Sequence, residues 1–288
     1  MNPLVKIKNL TIGGKEKIRI MAAVNLSKES FYKGSVIDYS NVKELERKFS
    51  DLLEEGTEIF DFGPKSTAPK DIYGRDTNIS SDEEIERLKR PLKVVRELDQ
   101  NCIISIDTQS SQVAEYALAH GADIINDISG LQADPNLIKV IADYNSYVII
   151  MATKQKPGDV FKTPDVINAL QKSKELALKY IPNTNILIDP GIGGWVPQRI
   201  PLDDFQLILD SQEIKNALNC PILIALSRKS FIGKILNLPP EDRLSGSLSA
   251  TAISVLHGAD VIRTHDVKET IQAIRIAEIF KDLKKQKS

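Results

Sequence analysis

Hydrophobic residues in this chain come in short apolar runs that stop abruptly at polar or charged side chains. ILIALSRKSF at Ile222–Phe231 and VIRTHD at Val261–Asp266 are the clearest cases. The same grammar recurs where IMAAVN ends at Asn25, IFDFGPKST at Thr67, IISIDT at Thr108, IINDISG at Gly130 and ILIDPGIG at Gly193. Apolar runs of this length fit parallel strands buried on both faces. The pattern predicts strands over Ile18–Asn25, Glu58–Asp61, Ile103–Asp107, Ile124–Asp127, Tyr147–Met151, Ile186–Asp189, Ile222–Ser227 and Val261–Thr264. Between them the apolar spacing turns helical, near Val42–Glu55, Asp82–Leu98, Ser110–His120, Pro135–Tyr144, Pro164–Tyr180, Leu202–Leu218, Ser247–His257 and Val267–Lys281.

Cap chemistry marks several boundaries. Ser81 with Glu84 three residues on reads as a capping box, and Thr108 or Ser110 can cap the third helix. Gly56, Gly121 and Gly258 each stand between a helical pattern and a strand, where a left-handed C-terminal cap is wanted. The triplet Gly-Ala-Asp at Gly121–Asp123 returns at Gly258–Asp260, a shared helix-to-strand turn.

Strict alternation of strand and helix calls for a parallel sheet with helical crossovers, and eight such units close a barrel. A doubly wound sheet would want a glycine-rich phosphate loop after its first strand, but Gly13 and Gly14 precede that strand. The expected fold is α/β, a (β/α)8 TIM barrel with a short N-terminal extension. Residues 1–17 are the extension, a candidate hairpin capping the bottom of the barrel. No linker or composition shift divides the chain, so residues 1–288 read as one domain.

Composition removes some classes of function. A formal net charge of −1 gives the chain no general pull on nucleic acid or an anionic membrane, and neither is expected as a partner. No apolar stretch approaches a membrane span, and Met1–Asn9 has no signal-peptide core, so the expected setting is cytoplasmic. Cys102 and Cys220 both precede apolar strands, which suits reduced, buried thiols better than a disulfide.

In a closed barrel, Asn25, Asp61, Asp107, Asn126, Asp189, Ser227 and Arg263 all stand at carboxyl ends of strands and converge on one mouth. One such aspartate is more often a helix cap. A whole ring of them calls for a function. Carboxylates beside an amide suit a flat, nitrogen-rich heterocycle, because a carboxylate accepts from an amino group and a ring N–H together. The cations Lys229, Arg263 and His265 suit a phosphate or pyrophosphate leaving group. Asn25 supplies a hard oxygen that could hold Mg2+ against that group. From the residues alone the chemistry is transfer on a phosphorylated heterocycle. Each residue also has a plainer reading: Lys229 as an ion-pair partner, His265 as a helix cap, Asn126 as a satisfied core amide.

These residues carry a family resemblance. SRKSFIG, RTHDV, IDPGIG, SIDT with GADIINDISG, and the loop DFGPKSTAP resemble dihydropteroate synthase and its pterin-binding barrel relatives, in collinear order from Ile18 to Phe280. SRKSFIG combined with R-x-HD is the most specific part. The resemblance implies a transferase that condenses a dihydropterin hydroxymethyl pyrophosphate with an arylamine and releases pyrophosphate. It implies a homodimer formed by helices near the carboxyl end. It also implies that Asp107, Asn126, Asp189 and Lys229 hold the pterin, with Lys229, Asp107 and Asp189 catalytic. Arg263, His265 and Asn25 would bind pyrophosphate, Asn25 as the Mg2+ ligand, and Ser66, Thr67 and Ser230 would line the arylamine side. Departure of pyrophosphate leaves a benzylic-type cation on the pterin methylene, which the arylamine attacks, so no protein nucleophile is required.

Two loops depart from the family pattern. Its TPDSFSDGG is SKESFYKGS at Ser27–Ser35, and its GGESTRPG is GPKSTAPK at Gly63–Lys70, so Lys33 and Lys65 are gained and an arginine is lost at Ala68. The family's MH is Met151-Ala152, and DPGIGFGK has become DPGIGGWVP. The pterin floor is kept while the arylamine doorway is rewritten. Two acceptors stay open: 4-aminobenzoate, in folate synthesis, or an arylamine carrying a ribose phosphate, in methanopterin-type synthesis, which Lys33 and Lys65 would suit. The alternative of another class is a pterin-binding protein without synthase activity, or a methyltetrahydrofolate–corrinoid methyltransferase relative. Retention of Lys229, Arg263 and His265 together speaks against it, because pyrophosphate explains all three.

Overall fold

In a computed structural model, residues 3–27, 37, 41–66, 79–193 and 196–285 are described. An antiparallel hairpin, β1 (Leu4–Ile7) and β2 (Leu10–Gly13), precedes a parallel sheet. Its strands are β3 (Arg19–Asn25), β4 (Ile59–Gly63), β5 (Ile103–Asp107), β6 (Ile124–Asp127), β7 (Tyr147–Met151), β8 (Ile186–Asp189), β9 (Leu223–Ala225) and β10 (Val261–Thr264). The helices between and after them are α1 (Val42–Glu55), α2 (Ser81–Leu98), α3 (Ser111–Ala119), α4 (Leu137–Asp143), α5 (Thr163–Ala177), α6 (Pro201–Leu209), α7 (Ser211–Leu218), α8 (Ser230–Leu236), α9 (Leu244–Leu256) and α10 (Val267–Lys285). Strands pair from β8 down to β3, then on to β10 and β9. A parallel bridge between Ile188 and Ile222 closes the ring, with the Ile188 N–H donating to the Pro221 carbonyl at 3.0 Å. The fold is the (β/α)8 TIM barrel that the alternation predicts.

The pleat sorts side chains into two populations. Met21, Ile59, Ile103, Ile124, Ile149, Leu187 and Val261 pack together inside the barrel. Their strand neighbours, among them Ile20, Phe60, Phe62, Ile104 and Ile125, pack outward against the helices. Two residues further along the same inward rows the character changes: Asp61 follows Ile59, Asn126 follows Ile124, Asp189 follows Leu187 and Arg263 follows Val261. One pleat therefore builds both the core and the polar mouth.

The hairpin lies under the amino end of the barrel, where Val5, Ile7 and Ile12 join the inner cluster. Gly13 turns away from it at φ +89°, and a Cβ there would collide with the Pro3 carbonyl. The two Gly-Ala-Asp turns have a shared purpose. Asp123 accepts from the Ile104 amide at 2.9 Å and pairs with Lys8 and Arg96, both at 2.8 Å. Asp260 accepts from the Ile222 amide at 2.9 Å and pairs with Lys215 at 2.6 Å. Each aspartate satisfies the start of a neighbouring strand that would otherwise be orphaned.

Several boundaries differ from the expected ones. Ser80, one residue before Ser81, caps α2 by accepting from the Glu83 amide at 3.3 Å. Ser110 caps α3 and Gly56 closes α1 at φ +105°, both as expected. The helix expected over Leu202–Leu218 is two, because Asp210 ends α6 and begins α7 while accepting from Thr163 at 2.6 Å. The strand expected to reach Ser227 ends at Ala225, and the short α8 begins at Ser230. Cys102 and Cys220 are free and buried, and burial pushes both thiols up to about 11. Among the described residues no helix is long and apolar enough to cross a membrane.

Candidate active site

Asp61 is the hub of the mouth. It is fully buried at the second level of β4 and accepts from Ser105 Oγ at 2.6 Å, Asn126 Nδ2 at 3.3 Å and Arg263 Nε at 2.6 Å. Arg263 also brings Nη2 to 3.5 Å from Asp107 Oδ2. Burial works against the Arg263 cation, but Asp61 and Asp107 outweigh it and raise its pKa. Asp107 is pushed up to about 7 by burial and by Asp61, with Arg263 opposing. Asp107 and Asn126 stand opposite each other in register across β5 and β6. Their Oδ1 atoms are buried and meet no donor among the described residues. Two buried acceptors without donors are set to receive the N–H groups of a ligand.

The other half of the mouth is built from β8 and the turn after β9. Asp189 accepts from the Gly191 amide at 2.7 Å, and burial raises its pKa against the pull of Lys229. Lys229 Nζ donates to the Ile192 carbonyl at 2.6 Å, and burial brings its pKa down to about 8 against the pull of Asp189. Lys229 is aimed by its neighbour. Arg228 sits at φ +55° and turns outward, donating to Asp266 through Nε at 2.8 Å and Nη2 at 2.7 Å and to the Glu241 carbonyl at 2.6 Å. Arg228 therefore latches the end of β9 to the end of β10 instead of serving the mouth.

His265 departs from its expected charge. Burial and the adjacent Arg263 drive its pKa down to about 3, so it is a neutral imidazole near pH 7 and not the cation its sequence context suggests. Its backbone N–H meets Ser227 Oγ at 3.3 Å. Asn25 stands half-buried at the end of β3, in register with Gly63. Ser230 is buried at the first position of α8, and its Oγ has no partner among the described residues. Ser66 is half-buried at the last described position after β4. Thr67, Lys33 and Ala68 lie outside the described residues. Lys65 lines a 380 Å3 cavity with Glu84, Asp107 and Thr108.

Two features were not singled out from the sequence. Ser105 completes the cradle of Asp61, and its signal was the period of two that places it under Asp107. Behind β8, Arg199 lies wholly buried with Nη2 at 2.5 Å from Asp204 Oδ1, and the same oxygen accepts from the Gly193 amide at 2.7 Å. This pair braces the loop that carries Ile192.

A closed barrel whose mouth joins buried acceptors to an ammonium and a guanidinium defines a class, a heterocycle-binding transferase. The comparisons with known proteins agree. The profile of the pterin binding enzyme family matches residues 21–265. The dihydropteroate synthase of Bacillus subtilis is 31% identical over 277 residues, covering 96% of this chain and 93% of that protein. A Clostridium difficile dihydropteroate synthase solved with pteroic acid superposes at TM-score 0.80 and 31% identity, covering 92% of this chain and 97% of that one. A Xanthomonas albilineans dihydropteroate synthase solved with 4-aminobenzoic acid does so at TM-score 0.80 and 26% identity, covering 98% and 99%. The chain belongs to the pterin-binding enzyme family and is a transferase of the dihydropteroate synthase type, an enzyme of folate biosynthesis.

Proposed function

We propose that the protein joins the pterin methylene of a dihydropterin hydroxymethyl pyrophosphate to the amine of 4-aminobenzoate. The observation that carries this reading is the pair of buried oxygens on Asp107 and Asn126, facing a mouth that also holds Asp189, Lys229 and Arg263. A pterin ring offers the N–H groups that these acceptors require, and Lys229 can donate to its ring acceptors. Arg263 and the neutral His265 donate to the departing pyrophosphate, with Arg263 held in place by Asp61. Asp107 and Asp189 stabilise the methylene cation left behind. Ser230, at the start of α8, and Ser66, after β4, would bound the arylamine, with Thr67 as the further residue assigned to that side by family resemblance. The 4-aminobenzoate bound to the Xanthomonas relative supports this acceptor over a ribose-phosphate arylamine.

Mg2+ fits this site in a limited way. Asn25 offers a hard amide oxygen that borders Gly63, lying 3.6 Å from where a Cβ on that glycine would stand. No cluster of three acidic, histidine or cysteine groups among the described residues could hold a metal ion, so most ligands would come from the pyrophosphate itself. Bound there through Asn25, the ion would neutralise charge on the leaving group.

The assembly we propose is a homodimer through α9 and α10. Ile276, Ile279, Phe280 and Leu283 form one exposed apolar stripe on α10, and Ile253 and Leu256 are exposed on the adjoining α9. The setting we propose is the cytoplasm, a reducing compartment that suits two buried free thiols.

The deciding experiment measures pyrophosphate release from dihydropterin pyrophosphate with 4-aminobenzoate and, separately, with a ribose-phosphate arylamine. Release with 4-aminobenzoate alone is expected. Preference for the phosphorylated amine would overturn the acceptor, and release with neither would overturn the synthase reading.

A further inference from the structure

Asp107 belongs to two spaces at once. On one side it faces Arg263 and the mouth, and on the other it lines the 380 Å3 cavity shared with Lys65, Ser81, Glu84, Thr108 and Ser110. That volume has room for on the order of ten water molecules. Across it lies Glu84, on the first turn of α2 and only 5% exposed. Among the described residues its carboxylate accepts from Thr108 Oγ1 at 3.2 Å, and Thr108 is the residue directly after Asp107. Burial raises the Glu84 pKa, with Lys65, Thr108 and Arg87 opposing. Ser80 caps α2, and Arg87 pairs with Glu83 at 2.7 Å. A carboxylate this deeply buried is costly to keep unless it is paired or used.

Resting on the synthase reading, we propose that Glu84 and this cavity form the outlet for the proton released when the arylamine attacks, received by way of Asp107. The C–O bond to pyrophosphate breaks and its electron pair leaves with pyrophosphate. The amine lone pair forms the C–N bond, and one N–H proton must depart. Asp107 accepts it, solvent in the cavity carries it to Glu84, and Glu84 returns it to bulk solvent past Lys65 and Ser110. Glu84 touches no reacting atom and is a positioning residue for that proton. The rival acceptor is the departing pyrophosphate, which would make Glu84 irrelevant to the rate.

The test is a single-turnover measurement on full-length Glu84→Gln and Glu84→Asp with 4-aminobenzoate across pH 6–9. Glu84→Gln should slow the chemical step about tenfold, with the KM for the pterin substrate within about twofold. Glu84→Asp should restore most of the rate, and rising concentrations of a small buffer base should rescue Glu84→Gln. An unchanged rate and pH profile in Glu84→Gln would overturn the proposal. Should Glu84→Gln fail to fold, judged by its thermal midpoint and pterin binding, Ala133→Leu at the cavity rim takes its place, with the same slowing expected and an unchanged rate again overturning the idea. Wild-type protein run alongside reports on the synthase reading itself, since absence of any turnover there is independent of Glu84.

Discussion

Arg263 and Asp61, 202 residues apart in the chain, meet at 2.6 Å inside the barrel mouth. Asp61 is fully buried while Arg263 keeps an exposed edge, so the carboxylate is a fixed post and the guanidinium is the part that faces ligand. The arginine's second contact, to Asp107, ties the pyrophosphate side of the mouth to the pterin side.

Asp61→Asn should therefore damage both halves. Breaking a buried pair by neutralising one partner costs about 3–5 kcal/mol, and denaturant unfolding should register a loss of that order. The KM for dihydropterin pyrophosphate should rise at least about tenfold. Normal stability with normal KM would mean that Asp61 only fills space.

Lys229→Ala should leave the fold intact and slow turnover on the order of a hundredfold, the consequence of losing about 2–3 kcal/mol of charge-assisted hydrogen bonding in the transition state. Pre-steady-state rates with the thermal midpoint recorded alongside are the check. Near-normal turnover would remove Lys229 from the mechanism.

Activity should peak in a narrow pH window. Asp107 must ionise to accept from the pterin and titrates at about 7, whereas Lys229 must stay protonated and titrates at about 8. The profile of kcat/KM should rise toward pH 7 and fall above 8. Stability has its own sign. A carboxyl whose folded pKa lies above its unfolded 3.8 contributes stability that is complete below 3.8 and lost as pH rises through about 7. Asp107→Asn should abolish turnover yet unfold at a higher temperature than wild type at pH 8. A lower midpoint for that variant at pH 8 would contradict the assignment.

Ile276→Glu with Phe280→Glu should convert a dimer into a monomer in sedimentation velocity, because charge on the α10 stripe cannot be buried unpaired. An unchanged sedimentation coefficient would move the interface elsewhere.

The fold and much of the site were legible because one physical rule generates both. Asp107, Asn126, Asp189 and Arg263 could be read as mouth residues since each ends an apolar run whose alternation has to point it inward. Asp61 appeared in the same ring, yet its role as the hub depends on distances to Ser105, Asn126 and Arg263 that no local pattern encodes. Arg228 was illegible for another reason. Its direction is set by a left-handed backbone and by Asp266 on a different strand, so adjacency to Lys229 misleads. The Arg199–Asp204 pair depends on a burial behind β8 that no local pattern encodes. His265 reads as a cation until its burial beside Arg263 is known.

The shared pleat also bears on how this protein can fail. Phe60 and Phe62 face the helices while Ile59 and Asp61 face the lumen. A slip of β4 by one residue would exchange them, driving two phenyl rings into the polar mouth and a carboxylate into the helix-facing core. Such a chain would lose its barrel along with its chemistry. Catalysis and folding yield should then be two readings of one quantity: the fraction of molecules recovered from denaturant with native spectra should equal the fraction that turns over, and a folded yet inert misregistered population should not accumulate.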